Sequence, residues 1–422
     1  MLRPAILIVG SVHINIIQAP SLLLLPLSKA YDTLLGTEPN NNPFAKAFVI
    51  YNWLTQRLFA SLLVLAHWSP FSPLELVICN SDGYSADMFT GEPGFSRCVL
   101  MSNHQTQLDW MYLWLAAWYS GKQGSLRIVL KEGLKWIPVF GWGMHFFSFV
   151  FVSRDWEKDQ KVLVDRAGLI RESSCGWFWL LVFPEGTIIS PDTLEKSRKF
   201  AKDMAERRDS GFVGEEEARN ILVGSEDTVS ATRRKLRSYS KSRKHEEYVP
   251  TRVLIPRYRA LWTILRVLIQ GKEQKQVQAL LDITMAYEPL VDVTKGVYPE
   301  KVYSPKNVYL PNRGKGMRPP TRVHIGVQTV YRNEWIEYVK GGDEKGFDAW
   351  LKSRWQKKEG EVEMFQQLGS LSSSLVVSKG RKKKRKALVV RVVPSLVDIA
   401  GLGGVILAVW IGIPFLVRSL LR

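Results

Sequence analysis

Two uncharged hydrophobic stretches lie near the ends of the chain. Residues 4–28 carry no charged side chain, and residues 399–417 form a second run of this kind. About 20 apolar residues cross a bilayer as a helix. We therefore predict N-terminal membrane helices within residues 1–76 and a C-terminal transmembrane helix within residues 393–422. For the first stretch, the alternative is a cleaved signal peptide.

The N-terminal region contains a second apolar stretch with a different character. Residues 44–76 are rich in aromatic side chains and carry only a few charges, so they form either a second span or an interfacial helix. Both alternatives stay open on the pattern alone. Pro20 and Pro26 interrupt the first stretch, which favours a kinked, short or re-entrant segment there over a straight helix.

The middle of the chain alternates short apolar runs with stretches of helical periodicity. Strands that alternate with helices predict an α/β sheet. We assign residues 77–368 to one α/β domain, a mixed sheet with flanking helices. We expect an exposed amphipathic helix over residues 341–368. The predicted strands are RCVLMSNH, SLRIVLKEG, FFSFVFVSR, WFWLLVFPEGT, TRVLIPRYRAL, ALLDITMAYEP and RVHIGVQTV.

Two polar segments interrupt or follow this domain. Residues 201–247 have many charges and few large apolar side chains, which predicts an exposed insertion. Residues 369–392 form a linker that is first rich in Ser and then strongly basic, with the run RKKKRK. Basic residues beside a span mark its cytoplasmic side, so this run predicts that the α/β domain faces the cytosol. The alternatives are a solvated linker or a nuclear localisation signal.

Composition narrows the class of partner. The chain carries 58 Lys and Arg against 40 Asp and Glu, a net charge of +18. This balance favours anionic partners, namely phospholipid headgroups, CoA phosphates or nucleic acid. No nucleic-acid motif is present, and much of the basic charge lies in linkers or beside a span, so we expect no nucleic-acid partner. Cys79, Cys98 and Cys175 lack metal-binding spacing, which predicts reduced thiols and no metal site.

The chain is also rich in tryptophan, with 15 residues. Tryptophan is enriched where a protein meets the membrane–water interface. Trp136, Trp142 and the aromatic cluster over residues 146–151 fit ordinary core packing best. The alternatives for them are the border of an acyl-chain groove or a place at the interface.

The sequence Ser-Asn-His-Gln-Thr-Gln-Leu-Asp over residues 102–109 carries the clearest chemistry. His104 lies just after a predicted strand, and Asp109 falls about one turn into the helix that follows. The carboxylate can therefore fold back to one imidazole nitrogen and leave the other free to accept a proton. This is two thirds of a Ser-His-Asp triad, with a substrate hydroxyl in place of the serine. Without further motifs, a structural hydrogen bond is the simpler interpretation of such a pair.

Four sequence blocks in a fixed order favour the catalytic interpretation of this pair over a structural hydrogen bond. NHQTQLD resembles the N-H-x-x-x-x-D block of the glycerolipid acyltransferases, the family of lysophosphatidic acid and glycerol-3-phosphate acyltransferases. Phe151-Val152-Ser153-Arg154 resembles the second block of that family, and Phe183-Pro184-Glu185-Gly186-Thr187 resembles the third. Val253-Leu254-Ile255-Pro256 is similar to the fourth. The resemblance covers roughly residues 80–300.

The resemblance implies roles for individual residues. It makes His104 and Asp109 the catalytic pair. It assigns the acceptor and its phosphate to four residues of the second and third blocks, and it gives Pro256 a structural or acyl-CoA-side role. Asn103 is a further candidate in the first block. Lys131 is a candidate by its position between the first two blocks, where it is placed to face CoA phosphates or the headgroup. A surface salt bridge is the alternative for Arg154, and a solvated side chain is the alternative for Lys131. The four acceptor residues are Arg154, Glu185, Gly186 and Thr187, and the further candidates are Asn103, Lys131 and Pro256.

One position departs from the family pattern. Many lysophosphatidic acid acyltransferases have Arg directly after the Glu-Gly-Thr turn, whereas this chain has Ile188. Loss of a cation there puts a phosphate monoester acceptor in doubt. The sequence around the blocks is most similar to the lysocardiolipin and lysophosphatidylinositol acyltransferase branch, whose acceptors carry a phosphodiester.

The resemblance therefore implies a lysophospholipid acyltransferase of phospholipid biosynthesis or remodelling. It implies acyl-CoA as co-substrate, no bound cofactor, and an endoplasmic reticulum membrane with the catalytic domain facing the cytosol. The alternatives are a CoA-independent phospholipid transacylase and an inactive lipid-binding protein of the same fold.

Overall fold

The computed structural model describes residues 2–35, 42–68, 74–80, 96–172, 177–209, 249–310, 319–369, 371 and 387–412. Its centre is a single eight-stranded sheet, whose strands lie in the order β4-β3-β5-β2-β6-β7-β1-β8. The strands are β1 (Glu75–Asn80), β2 (Arg97–Ser102), β3 (Leu126–Lys131), β4 (Val150–Val152), β5 (Phe178–Val182), β6 (Ala279–Glu288), β7 (Arg322–Tyr331) and β8 (Leu388–Arg391).

Helices cover both faces of the sheet, and apolar helices lie at both ends of the chain. The α-helices are α1 (Leu2–Gln18), α2 (Ser21–Leu35), α3 (Pro43–His67), α4 (Asp109–Tyr119), α5 (Phe140–Phe146), α6 (Trp156–Glu172), α7 (Pro191–Asp209), α8 (Tyr258–Leu268), α9 (Pro299–Val302), α10 (Pro305–Tyr309), α11 (Ile336–Gly341), α12 (Glu344–Leu368) and α13 (Leu396–Leu407).

Strand direction divides the sheet into two parts. Strands β4, β3, β5, β2 and β6 are all parallel to one another, in register pairs such as Lys131 with Val152 and Met101 with Val182. Strand β7 is antiparallel to β6, and β1 and β8 complete the other side. As a result, the C-terminal ends of β2, β3, β4 and β5 meet at one edge, here called the carboxyl edge. This is where ligands bind in parallel α/β sheets.

The buried residues form two large clusters, one on each face of the sheet. In β2, Cys98 and Leu100 face the cluster that includes α1, α3 and α4, whereas Val99 and Met101 face the cluster that includes α6, α8 and α12. This alternation follows from the two-residue period of a strand. It explains why the parallel strands are mostly apolar on both faces, since both faces are covered.

The apolar helices pack together into one group. Helix α3 packs against α1 and α2, and α13 packs against α3. The Asp398 carboxylate of α13 accepts hydrogen bonds from Arg57 at 3.2 Å and Ser61 at 2.6 Å. The stretches Arg3–Thr33 and Pro43–His67 are each long and apolar enough to cross a membrane. Of the predicted C-terminal span, only the part up to residue 412 lies within the described residues.

Several predicted elements are confirmed, and others are corrected. Strands form at six of the seven predicted places, although β4 is only three residues long. The seventh, TRVLIPRYRAL, is wrong as a strand: residues 251–257 are irregular and lead into α8. The reason lies in their backbone N–H groups, because those of Thr251, Arg252 and Val253 donate to the Glu359 carboxylate instead of a neighbouring strand.

Two further differences concern the edges of the domain. Residues 388–391, within the segment assigned to the basic linker, form strand β8 and pair with β1. The helix predicted over residues 341–368 is present as α12, but one stripe of it is buried, including Phe347, Leu351 and Trp355. The predicted insertion over residues 201–247 lies outside the described residues beyond Asp209, where α7 ends.

Candidate active site

His104 and Asp109 meet at the carboxyl edge of the sheet. Strand β2 ends at Ser102, the chain turns, and α4 begins at Asp109. The turn places His104 Nδ1 2.8 Å from Asp109 Oδ2. Because Nδ1 carries this hydrogen bond, the tautomer that leaves Nε2 free to accept a proton is favoured. The side chain of Asp109 is fully buried, whereas that of His104 is 17% exposed.

The Asp109 carboxylate is fixed from several directions. Oδ2 accepts the backbone N–H of Gln105 at 2.6 Å, and Oδ1 accepts the Thr106 hydroxyl at 3.1 Å. The Tyr287 hydroxyl, from β6, also donates to Oδ1. A carboxylate with this many donors is held in one orientation.

The backbone and ring of His104 are held by the neighbouring strands. The Asn103 side chain exchanges two hydrogen bonds with the backbone of Met285 in β6, at 2.8 and 3.1 Å. The His104 ring stacks on Phe183, which follows β5, with ring centroids 4.1 Å apart. Asn103 therefore joins the turn that carries His104 to strand β6.

Glu185 lies behind His104 and is almost entirely buried, with 3% exposure. Its two carboxylate oxygens accept the indole N–H of Trp355 at 3.0 Å and the backbone N–H of His104 at 3.3 Å. Burial raises the pKa of the Glu185 carboxyl to about 8. The sequence resemblance assigned Glu185 to acceptor binding, whereas its described contacts hold the His104 backbone and helix α12.

We expect the Trp355→Phe variant to keep the packing of α12 and lose the donor to Glu185. A buried acceptor without its donor lowers the free energy of unfolding by about 1–3 kcal/mol. A shift of Glu185 also displaces the His104 backbone that it binds, which lowers kcat on the order of tenfold. Steady-state kinetics should show this fall with unchanged KM. Trp350→Phe on the same helix is the control, because no described residue accepts a hydrogen bond from Trp350. Equal kinetics for the two variants would remove the positioning role of Trp355.

The Pro-Glu-Gly-Thr turn is built around Gly186. This residue has φ +70°, a conformation that favours glycine, and its N–H donates to the Phe183 carbonyl at 2.9 Å. Pro256 is buried, and the following residue, Arg257, donates its N–H to the Pro184 carbonyl at 2.8 Å. The Arg257 side chain passes alongside Gly186, with Cδ 3.9 Å from where a Cβ of Gly186 would lie.

Two cationic side chains stand at the ends of β3 and β4. The Asp159 carboxylate accepts the N–H groups of Ser153 and Arg154, at 2.6 and 2.8 Å, and holds Arg154 at φ +71°. Arg154 is exposed and has no ion-pair partner among the described residues, since Asp155 pairs with Lys158. The surface salt bridge considered for Arg154 is therefore wrong. Lys131 is exposed too, and it is paired in register with Val152.

The sequence-predicted residues thus share one edge of the sheet. Half-buried Thr187 lies in the turn after β5, and Gly186 is exposed beside it. Three residues of the site were missed: Tyr287, Trp355 and Arg257. Their positions depend on β6, α12 and the segment before α8, and only Arg257 had a local signal, its place directly after Pro256.

Two of the three cysteines lie in the part of the chain that the structure describes, and Cys175 lies outside it. Cys79 and Cys98 are buried free thiols, and burial raises the pKa of Cys98 to about 12. Such thiols are protonated and unreactive at neutral pH. Within the part of the chain that the structure describes, no group of three or more His, Cys, Asp or Glu could hold a metal ion.

Comparison with known proteins gives consistent matches. The Acyltransferase family model matches residues 92–210. An uncharacterized acyltransferase of Schizosaccharomyces pombe is 40% identical over 105 residues, or 25% of this chain and 30% of that protein. Lysocardiolipin acyltransferase 1 of Danio rerio is 29% identical over 318 residues, or 75% of this chain and 62% of that protein.

A third relative is the 2-acyl-1-lysophosphatidylinositol acyltransferase of Saccharomyces cerevisiae. It is 26% identical over 310 residues, or 66% of this chain and 64% of that protein. Each of these three matches spans less than two thirds of the relative's own length. No solved structure gives a significant match.

The matched region contains the catalytic pair and the acceptor-binding turn of the site, whereas Tyr287, Trp355 and Arg257 lie outside it. Residues 92–210 contain β2, β5, the His104–Asp109 pair and the Pro-Glu-Gly-Thr turn. The apolar helices and these relatives together indicate membrane association. Residues 92–210 therefore carry an acyltransferase domain, and the chain is similar to lysophospholipid and glycerolipid acyltransferases.

Proposed function

We propose that the protein transfers a fatty acyl group from acyl-CoA to the free hydroxyl of a lysophospholipid, in phospholipid biosynthesis or remodelling. The observation that carries the proposal is the contact of 2.8 Å between His104 and the buried Asp109, at the open carboxyl edge of the sheet. A partly exposed imidazole with one nitrogen fixed by a carboxylate is suited to take a proton from a substrate.

In the proposed reaction, His104 Nε2 accepts the proton of the lysophospholipid hydroxyl. The oxygen attacks the thioester carbonyl, the C–S bond breaks, and the CoA thiolate leaves with the proton that His104 returns. Asp109 stabilises the imidazolium formed in between. The acceptor hydroxyl acts as the nucleophile directly, and the sequence contains no G-x-S-x-G elbow that would supply a serine for an acyl-enzyme.

The acceptor headgroup is proposed to be a phosphodiester. Arg154 and Arg257 each offer a planar guanidinium suited to phosphate oxygens, and Lys131 adds a point charge. Ile188 supplies no charge next to the Glu-Gly-Thr turn. The missing cation fits the lower charge of a phosphodiester. Relatives named for lysocardiolipin and lysophosphatidylinositol support this class of acceptor.

The test is an acyl-transfer assay on membranes that contain the protein. The acyl-CoA donor is offered with lysophosphatidylinositol, a lysocardiolipin and lysophosphatidic acid as acceptors. We expect acylation of the phosphodiester acceptors, with strict dependence on acyl-CoA. Transfer from a diacyl phospholipid in the absence of CoA would favour a transacylase, and no transfer to any acceptor would favour an inactive lipid-binding protein. Acylation of lysophosphatidic acid alone would contradict the proposed headgroup.

We expect Arg257→Ala to weaken acceptor binding without unfolding the protein, because the side chain is exposed. Loss of a charge-assisted hydrogen bond costs about 1.5–3 kcal/mol, which raises KM for the acceptor roughly tenfold or more. KM for acyl-CoA and kcat should change little. Arg266→Ala, at an exposed position on α8, is the matched control. An unchanged acceptor KM in Arg257→Ala would exclude Arg257 from the headgroup site.

We further propose an endoplasmic reticulum membrane as the location, with the α/β domain in the cytosol. The basic run over residues 381–386, placed just before the C-terminal hydrophobic stretch, supports this orientation. Protease treatment of sealed microsomes should then digest the α/β domain without detergent.

A further inference from the structure

The connection between β3 and β4, residues 132–149, exposes large apolar side chains. It leaves the sheet directly after Lys131, at the carboxyl edge that also carries His104. Trp136 is 77% exposed and Trp142 is 66% exposed. The core packing expected for these two tryptophans is therefore wrong. Two tryptophans and the exposed Ile137 on one connection form an apolar surface of the kind that marks a binding face.

This surface is held rigidly. Phe147 and Phe149, later in the same connection, are buried in the core and anchor it. Gly141 lies against the backbone of Lys135, because a Cβ on Gly141 would come within 2.1 Å of the Lys135 carbonyl oxygen. The backbone that carries Trp136 and Trp142 is therefore closely packed between the two halves of the connection.

The connection is also fastened to the first apolar helix. Val139 has φ +70°, which is rare and strained for a β-branched residue. Its carbonyl oxygen accepts the Asn15 side-chain amide of α1 at 2.6 Å. Helix α1 belongs to a stretch long and apolar enough to cross a membrane, and it leaves Ile8 and Ile16 exposed. The apolar surface of the connection thus adjoins an apolar helix.

Charge at this surface points to one kind of partner. The Lys135 ammonium lies 5.1 Å from the centre of the Trp136 ring and pairs with Glu132. Lys131 is exposed, with no ion-pair partner among the residues that the structure describes. Exposed tryptophan beside lysine suits the headgroup region of a bilayer, where the ring meets the acyl boundary and the ammonium meets phosphate.

We propose that the β3–β4 connection inserts Trp136 and Trp142 into the headgroup region of the bilayer. Insertion there brings the carboxyl edge, with His104, down onto the membrane surface. An amphiphilic acceptor can then reach the site while its acyl chain stays in the lipid. The proposal rests on membrane association and not on acyl transfer, so it can be tested without any activity.

The experiment uses the full chain with Cys175→Ser, so that the remaining native thiols are the buried Cys79 and Cys98. A single cysteine at Trp142→Cys carries an environment-sensitive fluorophore, and Ile137→Cys provides a second, independent site. Lys340→Cys is the control, exposed on α11, which packs on the opposite face of the sheet. Each protein is reconstituted into vesicles of phosphatidylcholine with an anionic phospholipid, with or without nitroxide-labelled lipid.

We expect blue-shifted emission and several-fold stronger nitroxide quenching at positions 142 and 137 than at position 340. If both labels at the connection emit and quench like the label at position 340, the surface is exposed to water and the proposal is overturned. Quenching at 142 and 137 in a preparation without acyl transfer would uphold this proposal and count only against the proposed function.

Discussion

The His104→Ala variant is expected to lose acyl transfer almost completely, by a factor of about 10² to 10⁴. This is the range in which a positioned general base contributes to a rate. The loss should appear in kcat, because the imidazole is needed for proton transfer and the phosphate contacts proposed for Arg154 and Arg257 remain. The measurement is initial-rate acyl transfer in membranes with equal amounts of each protein.

The structure provides a close control for this variant. Gln107 is exposed in the same turn, and no described residue bonds to its side chain, so Gln107→Ala perturbs the turn without removing the base. We expect near-normal activity from it. His104 is part-exposed, and its backbone hydrogen bond to Glu185 does not depend on the imidazole, so the alanine variant should accumulate normally. Near-normal transfer by His104→Ala at a normal protein level would refute its role as base.

Much of the site was predictable because its parts are local. The strands β2, β3 and β5 are apolar runs that end in polar turns, and parallel strands bring such turns to one edge. The His104–Asp109 contact follows from a spacing of five residues across a strand-to-helix turn. For these elements, sequence pattern and tertiary structure demand the same arrangement.

The parts that were not predictable depend on distant packing. The segment before Pro256 has the apolar character of a strand, yet its N–H groups are satisfied by Glu359, more than 100 residues away. Trp355 has the helical spacing of a core residue, and only the folded chain brings its indole N–H to Glu185. Trp136 and Trp142 are large apolar side chains of the kind that fills a core. In the folded chain Phe147 and Phe149 fill the core beside them, and the two tryptophans are exposed.

The Asp109→Asn variant should lower kcat about 10⁴-fold, the scale of the tautomer effect in Ser-His-Asp enzymes. An asparagine amide can donate to His104 Nδ1, which moves the ring proton to Nε2 and blocks the base. In the wild-type protein the Gln105 N–H and the Tyr287 hydroxyl donate to the Asp109 carboxylate. In the variant, these donors face an NH₂ group that cannot accept their hydrogen bonds. We therefore expect some loss of stability as well, on the order of 1–3 kcal/mol.

A graded comparison separates the tautomer effect from loss of stability. Tyr287→Phe removes one donor to Asp109 and leaves the carboxylate in contact with His104, so it should be destabilised by a similar amount with a fall in kcat of only about tenfold. Thermal unfolding of both variants in detergent, measured beside their kcat values, tests this directly. If Tyr287→Phe and Asp109→Asn lose activity equally at equal stability, then Asp109 acts on the fold of the turn and the assignment of the His104 tautomer to it is wrong.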